Sequence, residues 1–202
     1  SGFSVRGGSP DQNLIILDDV PVYNASHFLG FFSVFNNDVV KDATLYKGDI
    51  PAMYDSRLSS VLDIKTLDEV PSKLDMQGGI GILTSRLTLN MPFNKGRSAI
   101  LLGGRITYGG VLACNIFKKL KGSSMYFYDA NAKIMHTFND KNRLFVSVYM
   151  GDDILGMDSL ASMTYGNKNV VARWNHIYND ELTSNISVFY TKYRYKIGVD
   201  MN

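Results

Sequence analysis

The sequence predicts a mainly β fold, in which a small mixed unit is followed by antiparallel strands of an incomplete transmembrane β-barrel. The first observation is that the second half of the chain alternates apolar and polar residues over stretches of about ten positions, which is typical of two-faced strands. The second is a composition with 18 Gly, 12 Tyr and 11 Phe among 202 residues. This composition suits a β protein whose outer face contacts lipid.

The first 70 residues are predicted to form a compact, turn-rich unit. Short apolar runs at Asn13–Asp18, Ala43–Tyr46 and Val61–Ile64 are separated by Gly, Pro, Asp and Asn. Such runs indicate short strands, and Asp18-Asp19 predicts a turn before the next apolar residues. We therefore divide the chain into residues 1–70, the small unit, and residues 71–202, the long strands.

The clearest alternation lies in Tyr126–Phe138. The even-numbered positions there are mostly apolar, and the odd-numbered face carries Asp129, Asn131, Lys133 and Thr137. We expect the even face to contact lipid and the odd face to line the lumen. Similar patterns in 83–91, 144–150, 170–178 and 182–190 predict about seven strands. The first of these, near 72–78, is expected to turn tightly through Gly78-Gly79.

Connection lengths and strand ends add to the barrel prediction. The expected connections are short at 94–96, 139–142 and 179–180, and long at 110–123 and 151–168. Transmembrane barrels have short turns on one side of the membrane and long loops on the other. Aromatic residues also lie near the strand ends, as in interfacial girdles. They are Phe93, Tyr108, Phe138, Tyr149, Tyr178 and Tyr193.

The last strand changes character near Thr191. Beyond it, Lys192, Arg194 and Lys196 share the face that is apolar earlier in the strand. A charged row faces hydrocarbon only at high cost, so we expect the strand to leave the lipid band there; a β-bulge is the alternative. Seven strands do not close a large barrel, and an open edge in lipid leaves backbone groups unpaired. We therefore expect either a longer native protein or a β half that is not a barrel.

Composition and motif spacing exclude several functions. A net charge of +2 is too balanced for nucleic-acid binding by phosphate neutralisation. The single cysteine, Cys114, excludes a disulfide framework and is expected to be a small apolar filler. The histidines His27, His136 and His176 share no zinc-ligand spacing. We therefore expect no cofactor and no metal site.

Two further patterns fail to indicate chemistry. Asp11, Asp18 and Asp19 lie close in sequence, but no calcium-loop pattern surrounds them. Ser59-Ser60 lacks the glycine-flanked turn of a hydrolase nucleophile. No catalytic residue is predicted, and the protein is not expected to be an enzyme.

Four motifs occur in order in the first unit: Ser4–Gly8 leading into Asn13–Tyr23, then Val39–Gly48, Ile50–Tyr54 and Arg57–Ile64. Over about residues 4–66, this order resembles the plug domain of TonB-dependent outer-membrane receptors, and the strands that follow resemble the start of their barrel. The chain departs from the family pattern at Met53, where Arg is usual, and at Asp55-Ser56, where Gly-Gly is frequent. The energy-coupling box, the first part of the plug and most of the barrel are missing.

The resemblance implies a cell outer-membrane protein that binds a scarce nutrient and imports it by energy-coupled remodelling of the plug. Its implied partners are outer-membrane lipid and a TonB-type energy-transducing complex of the inner membrane, which acts through an N-terminal segment that this chain lacks. The cargo is an unknown small molecule, glycan or peptide, with a surface lipoprotein as an optional partner.

The resemblance also implies roles for individual residues. Family arginines at the positions of Arg6 and Lys47 pair with barrel glutamates, so these two residues are expected to make plug–barrel contacts. Loops of the plug rise toward the extracellular pocket, and aromatic and amide groups there suit ligand recognition. The residues expected to form this ligand-binding surface are Ser9, Asp11, Gln12, Tyr23, Asn24 and His27. Phe31, Phe32 and Phe35 are instead expected to form the core of the unit.

The alternative function is a soluble β-rich binding or adhesion module. In that interpretation the aromatic residues would contact a sugar or a protein. A hydrolase, the third possibility, would require an acid–base cluster that the sequence does not suggest. A barrel would need detergent for purification, whereas the module would be monodisperse in plain buffer.

Overall fold

The computed structural model describes residues 4–30, 32–54, 59–108, 110, 123–157 and 161–199. Within these ranges the regular structure consists of strands and a few single-turn 3-10 helices, so the mainly β prediction is confirmed. The same ranges contain no helix with the length and apolar character needed to span a membrane. Phe31, Arg57, Cys114 and most of the predicted 110–123 connection lie outside the described residues.

The first unit contains a mixed four-stranded sheet and a small hairpin. Its strands are β1 (Asn13–Leu17), β2 (Val20–Pro21), β3 (Ser26–His27), β4 (Phe32–Ser33), β5 (Val40–Tyr46) and β6 (Ser60–Thr66). The sheet order is β2-β1-β6-β5, with β1 parallel to β6 and the other pairs antiparallel, while β3 pairs with β4. Asp18 and Asp19 form the predicted turn between β1 and β2, with φ values of 47° and 72°.

The second sheet contains seven strands in sequence order. They are β7 (Asp75–Ile80), β8 (Thr84–Phe93), β9 (Ser98–Thr107), β10 (Ser124–Asn139), β11 (Asn142–Met157), β12 (Ala161–Ile177) and β13 (Thr183–Val199). Each strand pairs antiparallel with the next one. β7 and β13 are the two edges, so the sheet is not closed into a barrel.

Two boundary predictions were wrong. Gly78 and Gly79 do not turn: they pair with Leu87 and Arg86, and the chain turns at residues 81–83 instead. The predicted long connection at 151–168 is mostly strand, because β11 runs to Met157 and β12 begins at Ala161. Gly151, Asp152, Asp153 and Gly156 resemble a loop in sequence, but they lie in an unbroken antiparallel register with β12.

The two faces of the second sheet differ as the alternation predicted. Odd-numbered residues of β10 are buried against the first unit, including Phe127, Asp129, Lys133 and Met135. Large even-numbered residues of the strand point away and are exposed, as at Ile134. The register of β12 with β13 has no break, so the bulge alternative at Thr191 was wrong.

The aromatic prediction at the strand ends was only partly correct. Phe93, Phe138 and Tyr178 are exposed, and Phe138 stacks on Trp174 with ring centroids 5.9 Å apart. Tyr149 is instead buried between the second sheet and the first unit. Tyr193 faces the same side, with its ring 6.1 Å from that of Tyr23. Both tyrosines occupy odd positions, and this face of β11 and β13 is directed toward the first unit.

Two hydrophobic clusters join the first unit to the second sheet. One consists of Val39, Ala99, Leu101, Met135 and Phe145. The other consists of Leu17, Val22, Val34, Ile64 and Tyr149, with Phe35 packed against it. Because each cluster contains side chains from both parts of the chain, the first unit packs directly on the sheet and is not a separate bead.

Gly103 allows this close approach, and we expect Gly103→Ala to destabilise the protein. A Cβ atom there would lie 2.5 Å from Cγ1 of the buried Val39. The overpacked residues must move, which costs about 1–3 kcal/mol of unfolding free energy. The measurement is urea unfolding of the protein, with and without the substitution.

The adjacent Gly104→Ala is the matched control. A Cβ atom at Gly104 would have its nearest described neighbour, the Asp129 carbonyl oxygen, at 3.9 Å. We expect a change within about 0.5 kcal/mol. Equal losses for the two variants would contradict the packing of Val39 against Gly103.

Candidate functional site

The interface between the first unit and the sheet contains a buried lysine. The Lys133 side chain is 3% exposed, and its ammonium group donates to Thr66 Oγ1 at 2.7 Å, Asp18 Oδ1 at 3.2 Å and the Thr66 carbonyl oxygen at 3.3 Å. Three acceptors match the three N–H groups of the ammonium. The lysine of β10 is thereby tied to the turn after β1 and to the end of β6.

Asp18 is held by hydrogen bonds as well as by charge. It accepts the Thr66 hydroxyl at 2.5 Å and the Thr66 backbone N–H at 3.0 Å. Burial by itself would raise the pKa of Asp18, but the Lys133 charge and the Thr66 hydrogen bonds outweigh it and lower the pKa below its ordinary value. The carboxylate is therefore charged at neutral pH and pairs with Lys133.

Asp19 forms a second link beside the first. It accepts a hydrogen bond from Lys65 of β6 and another from the Ser187 hydroxyl of β13 at 2.8 Å. Arg173 Nη1 of β12 lies 3.6 Å from the same carboxylate. Burial raises the pKa of Asp19, but the effects of Lys65, Ser187 and Arg173 outweigh burial and lower the pKa below its ordinary value. The Asp18-Asp19 turn thus contacts three strands of the second sheet.

His27 is the centre of a third link. It is 1% exposed, and its Nδ1 lies 2.6 Å from Asp153 Oδ2 while its Nε2 lies 3.5 Å from Asp129 Oδ2. Its ring stacks on Phe127 with centroids 4.0 Å apart. Arg105 Nε donates to Asp129 at 2.8 Å, and Arg105 Nη2 reaches the Ser33 carbonyl oxygen at 2.6 Å.

The charge state of His27 follows from these partners. Burial lowers the pKa of His27, but the neighbouring carboxylates of Asp129 and Asp153 outweigh burial and raise it above its ordinary value of 6.5. Nδ1 is hydrogen-bonded to Asp153, whereas Nε2 lies 3.5 Å from Asp129 without a hydrogen-bond partner. The Phe28 backbone N–H also donates to Asp153, at 2.9 Å.

The predicted ligand-binding residues separate into two groups. Asp11, Tyr23 and Asn24 line one open cavity of about 1430 Å³, whose far wall includes Arg173 and Phe189 of the second sheet. The Tyr23 side chain is 44% exposed there, and its backbone N–H donates to Asn167 Oδ1 at 3.1 Å. The structure thus brings three of the six predicted residues to a shared concave surface.

The other three residues lie elsewhere. Ser9 donates through its hydroxyl to Asp11 at 2.5 Å and through its backbone N–H to Gln12 at 3.2 Å, which stabilises a local turn. Gln12 lines a smaller cavity of about 310 Å³. His27 is enclosed between the unit and the sheet, so its ring is not part of an open surface in this conformation.

Arg6 and Lys47 line the smaller cavity together with Gln12 and Asp49. Both cations are exposed, and neither forms an ion pair with an acidic side chain of the described residues. Gly48 brings the backbone close to the Arg6 guanidinium, because a Cβ atom there would lie 3.1 Å from it. Their predicted contacts with barrel glutamates remain a prediction.

Sequence reasoning missed the residues that join the two parts: Asp18, Asp129, Lys133 and Asp153. The sequence pattern that could have predicted them is the presence of charged residues on the inner face of the long strands. Such residues need polar partners when that face is covered. Asp18 and Asp19 were considered only as a turn or a metal site. No group of three potential metal ligands converges within the described ranges.

Solved structures with a similar arrangement are siderophore receptors. PirA from Acinetobacter baumannii matches with a TM-score of 0.66 and 13% identity, over 95% of this chain and 33% of that one. PirA from Pseudomonas aeruginosa matches with a TM-score of 0.67 and 14% identity, over 95% and 34%. A mutant of the ferric enterobactin receptor PfeA from Pseudomonas aeruginosa has a TM-score of 0.66 and 13% identity, over 95% and 34%.

No protein-family model and no curated protein matches the sequence. The chain spans about one third of the length of the receptors named above. At this identity the likeness establishes the fold: the two packed sheets have the arrangement of part of a siderophore receptor.

We expect the attachment of the first unit to weaken as pH rises. The pKa of His27 is raised in the folded state, so its stabilising contribution is complete below about pH 6.5 and is lost as pH increases through the raised pKa. The measurement is hydrogen exchange of residues 20–30, corrected for the intrinsic pH dependence of exchange. Protection should be highest at the acidic end.

His27→Gln should abolish this pH dependence and reduce protection, because Asp129 and Asp153 would lose a buried cationic partner. Removal of one partner of a buried ion pair costs about 3–5 kcal/mol of unfolding free energy. His136→Gln is the control, since His136 lies on the outer face and contacts Ser98. Protection that is independent of pH in the unmodified protein would show that His27 does not titrate as an interface cation.

Proposed function

We propose that residues 1–70 are the C-terminal part of a plug domain and residues 71–202 the first seven strands of the barrel of a TonB-dependent outer-membrane receptor. The complete receptor binds a scarce nutrient and imports it by energy-coupled remodelling of the plug; it is a transporter and not an enzyme. The observation that best supports this proposal is the polarity of the second sheet: its covered inner face carries ion pairs beside apolar clusters, while its uncovered outer face is largely apolar.

The outer face suits lipid better than water. Its exposed side chains are large and apolar along six neighbouring strands: Leu87, Met91, Leu102, Ile106, Ile134, Met150, Val170, Ile186 and Val188. Monomeric soluble proteins rarely expose a continuous apolar patch of this extent. In a bilayer the same side chains would be buried in the hydrocarbon. A barrel of tilted antiparallel strands is one of the two structures that can span a bilayer, because every backbone group is paired once the barrel is closed.

The inner face suits a plug that can move. Three charged links attach the first unit: Lys133 with Asp18, Asp19 with Ser187 and Arg173, and His27 with Asp129 and Asp153. Energy coupling requires that contacts differ between plug states. Polar links can exchange partners with water when the plug shifts, whereas a wholly apolar interface would lose hydrophobic burial without replacement.

The cavity lined by Asp11, Tyr23 and Asn24 is the proposed cargo site on the plug. Its volume of about 1430 Å³ exceeds that of a typical drug-sized pocket. The solved receptors with this fold are named for siderophores, and one of them was solved in complex with enterobactin. We therefore propose a small-molecule cargo and test a ferric siderophore first.

The alternative is a soluble β-rich binding module, and purification distinguishes the two. A receptor requires detergent, and its folded barrel migrates differently on a gel before and after heating. A protein that is monodisperse in plain buffer and shows a single migration would refute the proposed function.

Depth dependence on the outer face gives a sharper test. Ala132→Arg places a charge amid the apolar band and should cost about 2–4 kcal/mol of folding free energy in lipid vesicles. Ser184→Arg places the same side chain on the same face near a short turn, where about 0–1 kcal/mol is expected. The measurement is urea unfolding from vesicles, and equal costs at both positions would contradict a membrane-spanning sheet.

Cargo recognition is tested at Tyr23. We expect Tyr23→Ala to raise the Kd of ferric enterobactin, used as the probe, by about tenfold, because a buried aromatic contact is worth more than about 1 kcal/mol. Tyr178→Ala is the control, since Tyr178 has a similar exposure of 52% but does not line the cavity. Calorimetric titration of the full-length receptor gives both values. An unchanged Kd in Tyr23→Ala would exclude this surface as the site.

A further inference from the structure

The hairpin formed by β3 and β4 lies between the open cavity and the second sheet. Ser26 and Ser33, which pair with each other, line the cavity. On the other side of the hairpin, the ring of His27 stacks on Phe127 of β10 with centroids 4.0 Å apart, and the ring of Phe28 meets the same phenyl group edge-on at 5.1 Å. The position of this hairpin therefore sets the shape of one wall of the cavity.

The hairpin covers a cluster of charges that is neutral only when His27 is protonated. The side chains of Asp129 on β10 and Asp153 on β11 are at most 2% exposed, and that of Arg105 on β9 is 13% exposed. Two negative charges and one positive charge leave a net charge of −1 beside a neutral imidazole and of 0 beside a protonated one. A buried net charge is costly because water does not solvate it. The charge balance thus favours the protonated imidazole, in agreement with the raised pKa of His27.

The other titratable groups near the cluster do not change its charge near neutral pH. The phenols of Tyr149 on β11 and Tyr193 on β13 lie close enough to interact with these carboxylates, and an ordinary phenol loses its proton only near about pH 10. Asp152 lies on the outer face, where it accepts a hydrogen bond from Arg194 at 2.8 Å. Among the described residues that face the cluster, His27 is therefore the group that titrates between about pH 6 and 8.

Both sides of the hairpin are tied to the cluster through their backbone. The Phe28 N–H donates to Asp153 Oδ1 at 2.9 Å, and the Ser33 carbonyl oxygen accepts from Arg105 Nη2 at 2.6 Å. Arg105 Nε also donates to Asp129 at 2.8 Å. When the imidazole loses its proton, the excess negative charge is solvated only if water reaches the carboxylates, and the hairpin excludes that water. Deprotonation therefore favours a hairpin that is displaced from the sheet.

The other links of the first unit do not respond to pH in the same range. Asp18 and Asp19 have lowered pKa values, so both carboxylates stay charged between about pH 6 and 9. Their ion pairs with Lys133 and Lys65 include no histidine. The sheet formed by β1, β2, β5 and β6 therefore stays attached while the hairpin moves.

We propose that His27 is a positioning residue for the cargo site: its proton holds the β3–β4 hairpin against the sheet, and loss of the proton displaces this cavity wall and weakens cargo binding. The inference rests on the proposed function, which places cargo in the cavity. His27 acts through the hairpin, because its own ring is enclosed. Cargo affinity is highest below about pH 6.5 and decreases as pH rises through the raised pKa, by at most about tenfold per pH unit for one proton. By reciprocity, bound cargo favours the protonated imidazole.

Movement of the hairpin is measured without cargo, as the distance between two spin labels in the full-length receptor. The labels are attached at Ser33→Cys on the hairpin and at Asp140→Cys in the short turn after β10, in a Cys114→Ser background that removes the single native cysteine. Both labelled positions are exposed. We expect one narrow distance distribution at about pH 5.5 and a second, broader population that increases up to about pH 9.

Two variants should give opposite results. His27→Gln leaves two buried carboxylates with one arginine, so the displaced hairpin should predominate at every pH. Asp153→Asn removes one negative charge, so the cluster is neutral with an uncharged imidazole. The new amide oxygen can accept from the Phe28 N–H, and the amide nitrogen can donate to His27 Nδ1. The hairpin of Asp153→Asn should therefore stay against the sheet at every pH. His136→Gln, on the outer face, is the matched control and should keep the pH dependence of the unmodified receptor.

The consequence for cargo is measured as the Kd of ferric enterobactin between about pH 6 and 9 in the same four proteins. The Kd of the unmodified receptor and of His136→Gln should rise with pH, by at most about tenfold per pH unit. The Kd of Asp153→Asn should stay low, and that of His27→Gln should stay high. Any pH dependence of the probe itself is common to the four proteins and cancels in the ratios of their Kd values.

A distance distribution that does not change with pH in the unmodified receptor would overturn the inference. So would a displaced hairpin in Asp153→Asn, because the charge of the cluster would then be irrelevant, or a hairpin that moves while Kd stays constant. Failure of the proposed function looks different: the hairpin moves with pH, but ferric enterobactin binds at no pH. That result would refute the cargo site and leave His27 as the residue that positions the hairpin. Heat-modifiable migration of each variant shows that it is folded.

Discussion

A buried ammonium group must find hydrogen-bond acceptors, and much of this structure can be understood from how Lys133 does so. The side chain leaves the middle of β10 on the face that the first unit covers. Burial without partners would cost several kcal/mol or force the lysine to lose its proton. The turn at Asp18 and the end of β6 at Thr66 supply the acceptors, and this fixes where the first unit lies on the sheet. Asp19 and His27 extend the same principle to β12, β13 and β11.

The resulting architecture has polarity opposite to that of a soluble sandwich. In a soluble protein the covered face of a sheet is the apolar one and the uncovered face is polar. Here the covered face combines apolar clusters with ion pairs, and the uncovered face is largely apolar. Such an interface can hold a domain in a defined position and still allow it to change position, because each ion pair has an alternative partner in water. This property is what an energy-coupled plug would need.

The second sheet could be predicted from the sequence more accurately than its interface with the first unit, for physical reasons. Period-2 alternation is a local property, so the faces of β10 and the order of the strands could be predicted from short windows. The link between Lys133 and Asp18 joins residues 115 positions apart, and no local pattern encodes it. His27 was assigned to the ligand-binding surface because it lies within an aromatic, loop-like stretch, and its partners Asp129 and Asp153 lie on strands about 100 residues or more later in the chain. Gly151 to Lys168 was misassigned because the acids that bind His27 and Arg194 make a strand resemble a loop.

The unbroken register of the long strands restricts how the chain can change in length. Removing one residue from the middle of β12 would turn every residue on one side of the deletion to the opposite face, which would direct Arg173 toward the apolar band and Trp174 toward the interior. Removing two residues would shorten the strand but keep each side chain on its own face. Insertions and deletions of an even number of residues should therefore be tolerated better within these strands than those of an odd number. The short turns at 94–97 and 178–182 are not subject to this restriction, because a change in turn length need not alter which face a strand residue occupies.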